Sequence, residues 1–66
     1  MEVNLNKIKG LMREHGETQA ELAEYLGCST TSVVNYLNGK TEMKAVDVFK
    51  IADKYKVPIA DLVEKA

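Results

Sequence analysis

Catalysis needs partners, and this chain does not offer them. His15 is the only histidine and Cys28 the only cysteine. Nothing pairs a nucleophile with a base, and no paired acids, metal-ligand spacing or phosphate loop is present. No enzyme, metal or cofactor is therefore expected. His15 reads as a helix C-terminal residue, where partial positive charge is welcome, and Cys28 as a small core residue. The residues that invite chemistry are hydrogen-bonding ones. In CSTTSVVNYLNGK four hydroxyl side chains, Ser29, Thr30, Thr31 and Ser32, open an apparent helix. Serine and threonine are mediocre helix formers, because their side chains compete for the local backbone. One of them makes sense as an N-cap. The other three are either a solvated helix start or a surface facing something that hydroxyls read well.

The bounds are narrow. At 66 residues there is room for one domain, residues 1–66, with a modest core. Charged residues are 29% and apolar ones 45%, a balance that reads as globular rather than disordered. No apolar run is long enough to span a bilayer, and MEVNLNKIKG lacks the apolar core of a signal peptide. A single cysteine makes no internal disulfide, so a cytoplasmic setting is expected, with no membrane. No small-molecule site is evident.

The elements that must position the hydroxyls are helical. Leu5, Ile8, Leu11 and Met12 recur at helical spacing, which predicts a first helix over about Asn4 to His15, capped by Asn4 or Asn6 and stopped by Gly16. Thr18 with Glu21 forms a capping box for a second helix, about Gln19 to Leu26, with Leu22, Ala23 and Leu26 as its stripe. Ser29 caps a third helix whose inner face is Val33, Tyr36 and Leu37; Asn38 and Gly39, both tolerant of positive φ, stop it. Ala45, Val48, Ile51, Ala52 and Tyr55 predict a fourth helix from about Lys44. Beyond Pro58, the spacing of Ile59, Leu62 and Val63 predicts a short fifth. No strand is expected. The fold class is all-α, a bundle of five short helices.

Within Gln19 to Asn38 the spacing says more. Ala23 is a small residue where two helices must cross closely. Gly27, four residues on, supplies a left-handed turn, and Val33, six further, is β-branched and faces back. In register these features make a helix-turn-helix from the second and third helices. Thr18-Gln19-Ala20-Glu21-Leu22-Ala23, Leu26-Gly27, Ser29 and Asn38-Gly39-Lys40 resemble the phage-repressor helix-turn-helix domains, the lambda-repressor-like, Cro-like or Xre-type family. The stretch Phe49 to Tyr55 with Val57 and Leu62 is similar to that family's last two helices, so the resemblance covers nearly the whole chain. It implies a five-helix domain binding operator DNA, usually as a dimer. One departure is apolar: several such repressors carry an Arg–Glu ion pair where Met12 and Leu37 stand here. A well-packed apolar pair is a reasonable replacement.

A helix-turn-helix lays its second helix, here about residues 29–38, in the major groove. With Val33, Tyr36 and Leu37 inward, Thr30, Thr31, Val34 and Asn35 point outward as candidate base contacts. Threonine can bond base edges and pack on thymine methyls, Val34 can meet a thymine methyl, and Asn35 can pair bidentately with adenine. A·T pairs are expected beneath them. Ser29 and Ser32 suit capping or phosphate contact. The resemblance implies a phosphate contact for Gln19, at a helix start that favours anions. Lys40 and Lys44 are cationic phosphate partners, and Asn38 and Gly39 can add polar or backbone contacts.

Charge argues the other way. The net charge is −1, and residues 17–44 hold Glu17, Glu21, Glu24 and Glu42 against Lys40 and Lys44. DNA affinity comes largely from neutralising phosphates. Lys7, Lys9 and Arg13 help if they lie near the backbone. Weak binding by one copy points to a homodimer on an inverted-repeat operator, whose linked half-sites add avidity. Pro58, Ile59 and Val63, with Val46 and Phe49, are candidates for an apolar dimer contact, although Ile59 and Phe49 also suit the core. The function expected is a sequence-specific regulator of transcription, a repressor by resemblance. The alternative is an antitoxin-like or adaptor module of the same fold that binds protein rather than DNA.

Overall fold

The computed structural model describes residues 2–64. In chain order it contains strand β1 (Glu2–Val3), helices α1 (Leu5–Glu14), α2 (Gln19–Leu26), α3 (Thr30–Leu37) and α4 (Ala45–Tyr55), a 3-10 turn (Ile59–Asp61) and strand β2 (Val63–Glu64). Helix starts follow local chemistry. The Asn4 side chain accepts from the Lys7 N–H, so Asn4 rather than Asn6 caps α1. Thr18 and Glu21 make the reciprocal capping box of α2. Ser29 caps α3, and Lys44 starts α4 without a side-chain cap.

All four helices stop in one way. The N–H two residues past the last turn reaches back five residues, and its predecessor closes a shorter bond inside it, which is the Schellman pattern. Glu17 bonds the Met12 carbonyl at 2.8 Å, Cys28 that of Ala23 at 3.0 Å, Lys40 that of Asn35 at 2.9 Å and Val57 that of Ala52 at 3.0 Å. The residue between must be left-handed. Gly16, Gly27 and Gly39 serve the first three, while α4 uses Lys56 at φ 55°. Asn38 does not share this role: it is right-handed, at φ −90°.

The expectation of five helices is corrected to four. The spacing of Ile59, Leu62 and Val63 imitates a helix, but only a 3-10 turn forms after Pro58. Val63 leaves it to pair with Val3 in an antiparallel two-stranded clasp, and the Asn4 N–H extends the pairing to the Leu62 carbonyl at 2.7 Å. The expectation of no strand is corrected with it. Extension at Val63 lets its backbone groups pair with those of Val3.

The core takes Ile8 from α1, Leu22 from α2, Val33 from α3, Val48 and Ile51 from α4 and Leu62 from the closing segment, all fully buried. Truncating any of the leucines or isoleucines to alanine would cost about 2–5 kcal/mol. Cys28 and Tyr36 are half-buried against this core. Ala45, expected on the inner stripe of α4, is exposed.

Candidate nucleic-acid interface

Helices α2 and α3 pack on each other more extensively than any other two elements. Ala23, only 2% exposed, and the β-branched Val33, 1% exposed, are buried in one cluster with Leu22 and Leu26. Gly27, at φ 75°, lets the chain turn between the helices; a Cβ there would meet open space, so conformation and not crowding selects glycine.

Burial of Val33 and Leu37 fixes which way α3 faces. Thr30 and Thr31 are exposed, and Val34 and Asn35 are half-exposed. Ser29 and Ser32 are bound to each other: the Ser29 hydroxyl oxygen accepts the Ser32 N–H at 3.1 Å, and the two hydroxyls lie 3.0 Å apart. That leaves Ser29 as the cap and Ser32 partly occupied. Of the four hydroxyls, only Thr30 and Thr31 make no side-chain hydrogen bond among the described residues.

Gln19 is exposed at the first turn of α2. It shares a hollow of about 260 Å³ with Asn38 from the end of α3 and with Lys9 and Arg13 of α1, and Met12 and Leu37 also line it. The structure therefore brings Gln19 and Asn38 together. Gly39 lies apart, in a different hollow with Leu5, Tyr36 and Met43. Lys40 and Lys44 are both exposed and border neither hollow. Sequence reasoning offered Lys9 and Arg13 only conditionally. Their signal was available: they flank Met12 on the helix whose Met12 meets the end of α3.

The acidic residues are less free than their number suggests. Glu17 is held by Lys54 at 2.8 Å and accepts from the Tyr55 hydroxyl. The Thr18 N–H, then the Thr18 hydroxyl, hold the Glu21 carboxyl below its usual value. Glu17 in turn raises the Lys54 ammonium. Burial, then the nearby Asp47 carboxylate, raise the Tyr36 phenol. No group of three or more His, Cys, Asp or Glu among the described residues gathers as a metal site, and no helix among them is long and apolar enough to cross a membrane.

Two short helices crossing through a glycine turn, the second with a buried apolar face and an exposed polar one, define a helix-turn-helix protein. The family model for the helix-turn-helix matches residues 8–62. The chain belongs to that family, in its phage-repressor, lambda-like branch, which is a family of DNA-binding regulators. No curated protein and no solved structure matched the chain.

Proposed function

We propose that the protein is a sequence-specific regulator that reads duplex DNA with α3 in the major groove and acts as a homodimer on an inverted repeat. The observation that carries this reading is the division of α3: Val33 and Leu37 are spent on the core, while Thr30 and Thr31 are open to solvent with Val34 and Asn35 beside them. In the groove the threonines would exchange hydrogen bonds with base edges. Val34 would pack on a thymine methyl and Asn35 would pair with adenine. Gln19, Asn38, Gly39, Lys40, Lys44 and the Ser32 hydroxyl would hold phosphates and fix the register. Repression follows from occupying an operator, and the cytoplasm is the compartment that suits it.

The dimer contact we assign to an apolar surface on α4 and the closing segment. Val46 and Phe49 are 55% and 58% exposed, large apolar side chains that their own fold leaves uncovered. Pro58 is exposed too, while Ile59 and Val63 are half-buried and packed on the core. The weight of the contact therefore moves from Ile59 and Val63 towards Val46 and Phe49.

The same exposed pair favours the second reading, a protein-binding module of this fold. Salt separates the two. Titration of labelled duplex DNA with the protein at rising salt should show log affinity falling steeply and linearly with log salt. Absence of DNA binding at low salt, from folded protein, would favour the protein partner.

A further inference from the structure

We propose that the hollow between β1, the end of α3 and the segment leading to α4 is a binding site for a small organic amine, an ammonium group carried on one ring or a short apolar body. The proposal goes beyond the DNA-binding reading and does not rest on it. The hollow has a volume of about 260 Å³. Its apolar walls come from four separate places in the chain: Val3 on β1, Leu5 on α1, Tyr36 on α3 and Met43 ahead of α4. Met43 is buried and the other three are half-buried. An apolar body placed there leaves water on several sides at once, which favours its entry. Clefts that take drug-sized ligands run from about 300 to 1,000 Å³. This one is smaller, so it selects a smaller molecule.

The rim decides the charge of that molecule. Glu2 and Glu42 both border the hollow, both are exposed, and neither makes an ion pair among the described residues. No cationic side chain among the described residues borders it with them. Two carboxylates beside an apolar wall attract a cation and repel an anion, DNA phosphate included. The hydrogen-bonding inventory agrees. An ammonium group has three N–H donors and no acceptor. The two carboxylates and the Thr41 hydroxyl, which also borders the hollow, supply acceptors for them. Tyr36 adds an aromatic ring, whose face attracts ammonium groups.

The hollow is tied to α3. Its wall includes Tyr36, in the last turn of that helix. The N–H groups of Lys40 and Thr41 both bond the Asn35 carbonyl, at 2.9 and 3.4 Å, so the segment that carries Thr41, Glu42 and Met43 is anchored on the helix end. A bound amine would rest against the helix assigned above to reading bases.

The test uses phenethylamine as the probe, with phenethyl alcohol and phenylacetate as neutral and negative controls of similar shape. Each is titrated at neutral pH into the isotope-labelled full chain, and amide chemical shifts are followed. The amine should move Val3, Leu5, Tyr36, Thr41 and Met43 saturably, with a Kd in the millimolar range that suits so few atoms. The alcohol should bind about 10-fold more weakly, since two exposed charge contacts are lost, and phenylacetate should not bind. E2Q/E42Q changes two exposed positions and should weaken the amine about 10-fold, towards the alcohol. E14Q/E24Q removes the same charge from exposed positions away from the hollow and should keep wild-type affinity. Equal binding of amine and alcohol would overturn the proposal, because the carboxylates would then recognise nothing. Absence of saturable shifts, or shifts centred outside the hollow, would overturn it as well.

Discussion

The Tyr55 hydroxyl donates a hydrogen bond to the Glu17 carboxylate, tying the last turn of α4 to the loop that leads into α2. Lys54 completes the brace. Its ammonium meets the other Glu17 oxygen at 2.8 Å and lies 4.6 Å from the centre of the Tyr25 ring on α2. His15 stacks against Tyr55 with ring centres 4.9 Å apart. The end of α4 thus braces α2 and the loop before it. Tyr55→Phe should lower stability by about 0.5–1.5 kcal/mol, read as a shift in denaturant midpoint, with no change in DNA sequence preference.

The same pair predicts a pH dependence. Burial, then the Glu17 hydrogen bond and charge, push the Tyr55 phenol above its ordinary value, and burial with Asp47 does the same for Tyr36. The folded state then keeps protons that the unfolded chain releases. Stability is complete below the ordinary phenol value of about 10 and declines as pH climbs above it. Denaturant midpoints measured from neutral to strongly alkaline pH should fall, and Tyr55→Phe should fall less steeply over the same range.

Lys56 is the one non-glycine residue with positive φ among the described residues, at 55°. It occupies the place that glycine takes after α1, α2 and α3. Lys56→Gly should therefore stabilise the fold by about 0.5–1 kcal/mol, since glycine adopts this conformation without steric cost. Thermal melting checks this, with a rise of a few degrees expected for a domain of this size. A fall would mean that the Lys56 side chain contributes more than its backbone strain costs.

Asn35 and Gln19 should fail differently. Asn35→Ala should lose roughly 1–3 kcal/mol on the best DNA sequence and relax preference at one base pair. Gln19→Ala should weaken all sequences evenly, because a phosphate contact carries no sequence information. Competition binding against single-base variants of the best duplex distinguishes them. Equal, sequence-independent losses from both would remove Asn35 as a reader.

Phe49→Glu should separate folding from assembly. Phe49 is largely exposed and should tolerate a charge within the monomer. At an α4 contact between copies it would place two carboxylates against each other. Sedimentation should show a dimer for wild type and a monomer for the variant. Affinity for a duplex with two half-sites should fall, while affinity for one half-site should hold.

What was legible in the sequence was local. The Thr18–Glu21 box, the Ser29 cap and the turn glycines each act within six residues, and the bounds of α2 and α3 follow from them. The apolar stripe of α1 was legible for the same reason. What escaped was non-local or unmarked. Val3 and Val63 pair across sixty residues of chain, and strands of two residues leave no alternation to read. Glu17 and Tyr55 are 38 residues apart. Lys56 carries no sign of its left-handed backbone, because lysine adopts that conformation only when the packing around a helix end demands it. At the candidate site, the outward set on α3 followed from helical spacing. The meeting of Lys9 and Arg13 with Gln19 and Asn38 needed the fold.

The central claim is that α3 reads duplex DNA in two symmetric copies. Selection of bound duplexes from a random library at moderate salt tests it most directly. The account predicts an inverted repeat with A·T pairs in each half-site and half-sites about one helical turn apart. Recovery of no preferred sequence, at concentrations where the protein is folded, would contradict it.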